Sequence, residues 1–400
     1  MSTRAAINPT AVGDRIHGWV EEAGWRRPQL DRAAVLVDRP TVRPLLERGT
    51  PTRERPSGTP TVTVVIPCYN YAGFLPAAVA SAFDQPGCAV DVVVVDDAST
   101  DATPEVAAAL AADPRVRVFR NQENLGHVAT FNRGLARAGG ELVIRLDADD
   151  LLAPGAVTRA AALFEARPEV GLVYGHPRHF TTAAPPAARV GRPTWTIWEG
   201  RDWVRERCRR GVNCLTTPEV VFRSSVVEQA GALNEALRYA QDMEFCLRVA
   251  ALSDVARIDD VDQALHRDHD ASMSVTVAAG VMVDLVERRQ VFRELFASVG
   301  SRFPDRDDLG ETWRRTLADE AFRHASRAVD RGRDRDDDLA ELRAYALETA
   351  PVRLLGAEAT RWDDLDRRRR RSARPGATVR AARHRLRDEV AYLRWARTGI

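Results

Sequence analysis

From Thr61 onward the chain alternates short β-branched runs with alanine-rich segments: TVTVVIP, FLPAAVASAF, VDVVVVDD, TPEVAAALAA, VRVFR, HVATFNRGLARA and ELVIRLD. Continuous Val and Ile runs bounded by turn residues suit strands buried on both faces, and the stretches between them suit the helices that cover such strands. Repetition of strand and helix places the chain in the α/β class, with a mostly parallel sheet flanked by helices.

The texture differs before and after this region. Residues 1–60 are rich in Arg and Pro, carry Trp19 and Trp25 as anchors, and end in RGTPTRERPSGTP, a linker composition. Residues 61–275 read as one domain, whose less regular second part holds GLVYG and EVVFR as strands and a helix from Asp242 to Ala251. Residues 276–400 read as a helical, Arg-rich C-terminal extension. There Val390, Tyr392, Leu393 and Trp395 set apolar area beside the charges, so the segment is either a solvated coil or an arm that packs or interacts.

Composition narrows the function. At 400 residues and 44% hydrophobic content the chain can bury a large core. The formal net charge is +1, and no global field points to nucleic acid. No window approaches the roughly 18 consecutive apolar residues of a membrane span, and no signal-like segment opens the chain. The expected location is the cytoplasm, at most peripheral at the inner face of the membrane. The five cysteines lack paired spacing and read as small core residues.

Ligands of open α/β sheets bind beyond the carboxyl ends of strands, and two acidic groups fall there. Asp96 and Asp97 follow DVVVV; Asp147, Asp149 and Asp150 follow ELVIRL. Ser99, Thr100, Asp101 and Thr103 read as helix-capping residues, and Asp150 as a residue that turns the chain before Pro154. Carboxylates packed as in DADD repel one another, and protonation or a cation relieves them. A divalent ion, Mn2+ or Mg2+, takes such oxygen ligands together with phosphate, which implies a phosphate-bearing substrate. No GxGxxG and no GxxxxGK[ST] follows a strand, so no glycine-rich loop supplies the phosphate site.

The segments VVIPCYNYAGFLPAAVASAFDQ, VVVDDASTDAT and NQENLGHVATFNRGLARAGGELVIRLDADD resemble the nucleotide-sugar half of family 2 glycosyltransferases with the GT-A fold. GALNEALRYAQDMEFCLRVA resembles that family's acceptor-side segment, and HRDHDASMS its closing stretch. The resemblance implies a metal-dependent, inverting transfer of a sugar from a nucleoside-diphosphate donor to an acceptor hydroxyl or amine. A UDP-sugar is the first expectation for the donor, with GDP- or dTDP-sugars next. Pro67, Tyr69 and Asn70 would line the nucleotide pocket, Asp97 with Asp96 would bind base or ribose, and Asn124 would turn the chain and close over the nucleotide. Asp147 would touch ribose or metal, Asp149 would ligate the metal with His269 beside it, and Asp242 would be the catalytic base. Two positions depart from the pattern: Gln241 stands where Glu is common, and Phe131 where Arg is frequent.

Two rivals stand beside this reading. A nucleotidyltransferase acting on a sugar phosphate would show a glycine-rich basic loop after its first strand, where this chain has PCYNYAGF. A non-catalytic sugar-nucleotide-binding or scaffold domain would be expected to lack Asp97, Asp149 or Asp242. His127, His176, His179 and His266 have no ligand spacing, and Trp195, Trp198 and Trp203 suit either a core or a sugar-stacking platform. The acceptor is unassigned; peripheral membrane contact and self-association through the C-terminal region are the other partners considered.

Overall fold

The computed structural model describes residues 47–49, 55–269, 280–332, 336–350, 356–370 and 376–398. Trp19, Trp25, the boundary at 275/276 and the end of HRDHDASMS from Asp270 onward lie outside these residues.

Four strands, β2 (Thr61–Cys68), β3 (Ala89–Asp96), β4 (Val116–Arg120) and β5 (Leu142–Arg145), run parallel in the order β5-β2-β3-β4. The pleat sends Val62, Val64 and Ile66 to the face covered by α1 (Leu75–Phe83) and α2 (Thr103–Leu110). Val65, Val93 and Val95 point to the other face, against Val128 and Phe131 of α3 (His127–Leu135). Each such side chain, fully buried, contributes about 1.5–3 kcal/mol. Helix α3 lies so close to β2 that a Cβ at Gly134 would run into Val65 Cγ1.

Beyond β5 the sheet becomes mixed. Strand β9 (Val221–Arg223) inserts antiparallel between β5 and β7 (Val170–Phe180), and β7 pairs in parallel with the long β10 (Asp254–Arg267). Strand β8 (Thr194–Trp198) and, at the edge, β1 (Glu47–Gly49) extend the sheet antiparallel, and β6 (Leu151–Leu152) pairs with β10. Glu47–Gly49 thus adds an edge strand within the stretch of linker composition. Helices α4 (Ala156–Ala166), α5 (Gly200–Arg210), α6 (Ser224–Ala230) and α7 (Gln241–Ala250) complete the layers. Trp195, Trp198 and Trp203 are 6%, 1% and 1% exposed, so all three are core residues rather than a stacking platform. The cysteines are free, and all except the half-buried Cys88 are buried.

Helix α7 carries Phe245 and Val249 on one face, with Leu252 just beyond its end. Phe245 and Val249 are buried, Leu252 partly so, but the helix is enclosed on nearly every side, because α8 (Val281–Ser298) lies over it. Within it Glu244 accepts from Arg248 Nε and Nη2 at 2.9 and 2.7 Å, and Arg248 also donates to the carbonyls of Ala230 and Ala232. The Arg at the end of this helix therefore braces the turn before it.

The described residues of the C-terminal region are packed helix. Helices α9 (Arg306–Arg331), α10 (Asp336–Thr349), α11 (Gly356–Arg369) and α12 (Ala377–Thr398) follow α8. Phe292 stacks on Trp313 at 5.4 Å, and Phe322 meets Trp362 edge-on at 5.2 Å. Asp330 of α9, 1% exposed at its side chain, lies 2.9 Å from Arg380 Nε, 3.7 Å from Arg368 Nη1 and 3.7 Å from His384 Nε2. Helix α12 ends on the sheet domain, where Trp395 Nε1 donates to the Cys214 carbonyl at 3.1 Å. No described helix is long and apolar enough to cross a membrane.

Candidate active site

The carboxyl ends of β2 and β3 open into two turns that hold each other. Pro67 is buried at the end of β2, and Tyr69 beyond it is 43% exposed. Asn70 takes φ 57°, a left-handed conformation that Asn tolerates, and its Oδ1 accepts from the Thr100 and Asp101 backbone N–H groups at 2.8 and 3.3 Å. Its own N–H donates to Ser99 Oγ at 2.9 Å. Asp101 Oδ1 accepts the Thr103 N–H at 2.9 Å, but the N-cap of α2 is Ala102, which makes no side-chain cap bond. The Ser99 and Thr103 hydroxyls accept from the Asn70 and Tyr71 N–H groups of the facing turn rather than capping the helix.

Both acids after β3 face inward. Asp97 Oδ1 accepts from Asn121 Nδ2 and the Leu125 N–H at 2.7 and 2.8 Å, and Oδ2 accepts the Gly126 N–H at 2.9 Å. Asp96 accepts the Ser99 N–H at 3.1 Å and lies 3.3 Å from Arg120 Nε. These carboxylates, 2% and 1% exposed, shape the turns around the opening. Asn124 sits exposed in the turn that Asp97 holds, its Oδ1 accepting from the Gly126 N–H at 3.2 Å.

The three acids after β5 take different surroundings. Asp150 accepts the Arg267 N–H at 2.8 Å and contacts His266 Nδ1 at 2.6 Å, so it ties the turn to β10. Asp147 Oδ1 accepts from Arg145 Nε and Nη2 at 3.1 and 3.0 Å. Asp149 Oδ2 lies 2.9 Å from His269 Nε2, whose ring stacks on Phe74 at 5.4 Å and meets Tyr71 edge-on at 6.0 Å. Burial, and then the charges of Asp150 and Asp147, push the Asp149 pKa up to about 6. The same crowding raises the pKa of Tyr71, through burial first and then Asp149 and Asp147. Asp149 and His269 thus set one carboxylate and one imidazole side by side; the carboxylate oxygens are of the kind Mn2+ and Mg2+ take, and a cation bound there would relieve the repulsion among the acids.

Asp242 is the second residue of α7, and the N-cap position, Ala240, makes no side-chain cap bond. Asp242 Oδ2 accepts from Asn213 Nδ2 at 3.1 Å and Oδ1 from the Met243 N–H at 2.7 Å. Burial raises its pKa, and the Arg145 guanidinium opposes part of that rise. Asp242 lines a cavity with Arg145, Phe131, Leu215, Thr216 and Phe245. Arg145 therefore joins the two sites: it pairs with Asp147 on one side and faces this cavity on the other. Gln241, where an acid was common in the resembling segment, contacts His127 Nε2 at 2.9 Å, and burial with the Arg145 charge pushes His127 down to about 4.

Several of these residues were not picked out from the sequence. Tyr71 lies two residues beyond the singled-out Tyr69, and its proximity to His269 spans a long loop-to-loop contact. Arg145 ends β5 and Asp147 lies two positions further, so the period-2 alternation carried past the strand's end was a signal that could have found this pair. His179, His266 and Asp268 bring ligand-type atoms within 4.8 Å of one another, although the histidines showed no ligand spacing.

Glu219 is 2% exposed beside the cavity wall, and its carboxylate accepts from the Thr216 N–H and hydroxyl. Burial pushes its pKa from the ordinary 4.5 up to about 8. The folded chain keeps this proton while the unfolded chain releases it, so the group lowers stability progressively as pH rises from 4.5 to about 8 and no further above that. Glu219→Gln is expected to flatten the fall in melting temperature between pH 5 and pH 9; an unchanged pH slope would rule this out.

Residues 63–213 match the model of the family described as glycosyl transferase family 2. The succinoglycan biosynthesis protein ExoO of Rhizobium meliloti is 43% identical over 100 residues, 25% of this chain and 28% of that protein. An uncharacterized glycosyltransferase of Nostoc sp. is 37% identical over 116 residues, 28% of this chain and 35% of that protein. The chain thus aligns with about a third or less of the length of these relatives. The mannosyltransferase PcManGT from Pyrobaculum calidifontis, solved in complex with GDP-Man and Mn2+, superposes with a TM-score of 0.51 at 18% identity. That superposition covers 97% of this chain and 92% of the other, and it shows a shared fold.

Proposed function

We propose that this chain, whose residues 63–213 match the glycosyl transferase family 2 model and whose fold is GT-A-like, transfers a sugar from a nucleoside-diphosphate donor to an acceptor hydroxyl or amine, with inversion and with a divalent ion. The observation that carries the reading is Asp149: a buried carboxylate at a strand end, held 2.9 Å from His269 and crowded by two further acids. Mn2+ or Mg2+ held there supplies neutralisation of the negative charge on the leaving diphosphate. Asp149 and His269 would hold the ion, and Asp147 would reach ion or ribose.

The remaining steps belong to the chain's own side chains. Pro67, Tyr69 and Asn70 line the nucleotide side. Asp97, with Asp96 supporting, keeps the turn bearing Asn124 in place against the nucleotide. Asp242 accepts the acceptor's proton as its oxygen or nitrogen attacks the anomeric carbon, and Asn213 fixes the carboxylate's orientation. The Arg145 guanidinium opposes part of the burial-driven rise in the Asp242 pKa, which favours the ionised carboxylate that takes the proton.

Calorimetric titration with a panel of UDP-, GDP- and dTDP-sugars, with Mn2+, Mg2+ or chelator, tests this. Donor affinity is expected to require the ion and to fall about tenfold per pH unit below about 6, because Asp149 must first lose its proton. Undiminished sugar transfer in excess chelator would remove the metal from the mechanism.

A further inference from the structure

Helix α12 has two unlike faces. Arg380 and His384 approach Asp330, Asp388 pairs with Arg327, and Trp395 reaches the Cys214 carbonyl; these residues, spaced mostly by four, form the side packed on the protein. On the opposite side Val379, Leu386 and Leu393 recur every seven residues and are 57%, 47% and 40% exposed. Ala382 and the half-buried Val390 fall on the same stripe; exposed Arg383 and Arg387 border it on one side, and Glu389 with exposed Arg385 on the other. The arginine run that closes α11 meets the start of this helix, because Arg368 and Arg380 share Asp330.

We propose that the outward face of α12, with the adjoining end of α11, docks on an anionic lipid surface. Charge carries the choice of partner. Residues 356–400 hold thirteen arginines against six acids, in a chain whose net charge is only +1. A second copy would bring the same excess of arginine to the contact, whereas acidic headgroups complement it. An aliphatic stripe between arginines matches the acyl–headgroup boundary, where apolar side chains enter the bilayer and cationic ones stay at the headgroups. Trp395 ties the far end of the packed side to the loop 213–217, which carries Asn213 and Thr216 beside Asp242, so a docked helix would hold that loop one helix diameter, ~10 Å, from the bilayer.

Flotation of the full chain with vesicles of phosphatidylcholine alone, or with a third phosphatidylglycerol, tests the docking without any sugar reaction. Binding is expected only to the anionic vesicles, reduced at least about tenfold by 0.5 M salt. The variant Leu386→Asp/Leu393→Asp, at exposed positions, is expected to lose that binding by a similar factor while keeping its melting temperature. Equal binding to both vesicle types, retention by the double variant, or absence of binding to anionic vesicles would each overturn the proposal. So would a concentration-dependent dimer that the double variant abolishes, since the stripe would then be covered by a second copy. Because the readout is vesicle binding, its failure leaves the transferase reading untouched.

Discussion

Asp149→Ala is expected to lower sugar transfer on the order of a thousandfold and to remove ion-dependent donor binding, while the melting temperature in chelator holds or rises. The two halves of this expectation have one cause. Without a cation Asp149 is buried among like charges, which is why its pKa is pushed up to about 6, and deleting it relieves that repulsion. The lost contact to His269 offsets part of the gain, and the ring remains held by Phe74 and Tyr71. Product assay together with calorimetry decides the matter: retained transfer would exclude Asp149 as a ligand, and a collapsed melting temperature would make it a structural residue.

Asp242→Asn is expected to cost on the order of a hundredfold or more in turnover, with donor affinity and melting temperature nearly unchanged. An amide of the same shape can keep an oxygen toward Asn213 and Met243, but it cannot accept a proton. The wild-type product should carry the anomeric configuration opposite to the donor's, read by NMR before mutarotation. Retention of the donor configuration, or normal turnover by the variant, would end the single-displacement assignment.

The alternating β-branched runs made the parallel strands β2 to β5 and their covering helices legible, because each segment's burial is written in its own residues. The acids at strand ends were legible for the same local reason. What local pattern does not carry is partnership. Nothing in VVFR says that it inserts antiparallel between β5 and β7, a pairing between segments far apart in the chain. Asp97 illustrates the limit at the site: its position after β3 was readable, but its use of both oxygens on Asn121, Leu125 and Gly126 depends on a turn some 25 residues away. Arg145 was passed over as one strand residue among apolar ones, and the fastening of α12 depends on Asp330, one acid among many on α9.

The unbroken sheet has a consequence for how substrates are admitted. Backbone hydrogen bonds run from the strands that lead to Asp97 and Asp149, through β9, to those beside α7, so among the described strands there is no joint at which two lobes could swing. Asp149 and Asp242 stand on one rigid bench. Opening and closing must then be the work of turns at its rim, above all the loop 213–217 and the turn that Asp97 anchors. Amide exchange should therefore show β2, β5, β9 and β7 opening as one cooperative unit, with these rim segments exchanging independently and far faster. Adaptation to a new acceptor would proceed by re-cutting the rim and leave the bench untouched.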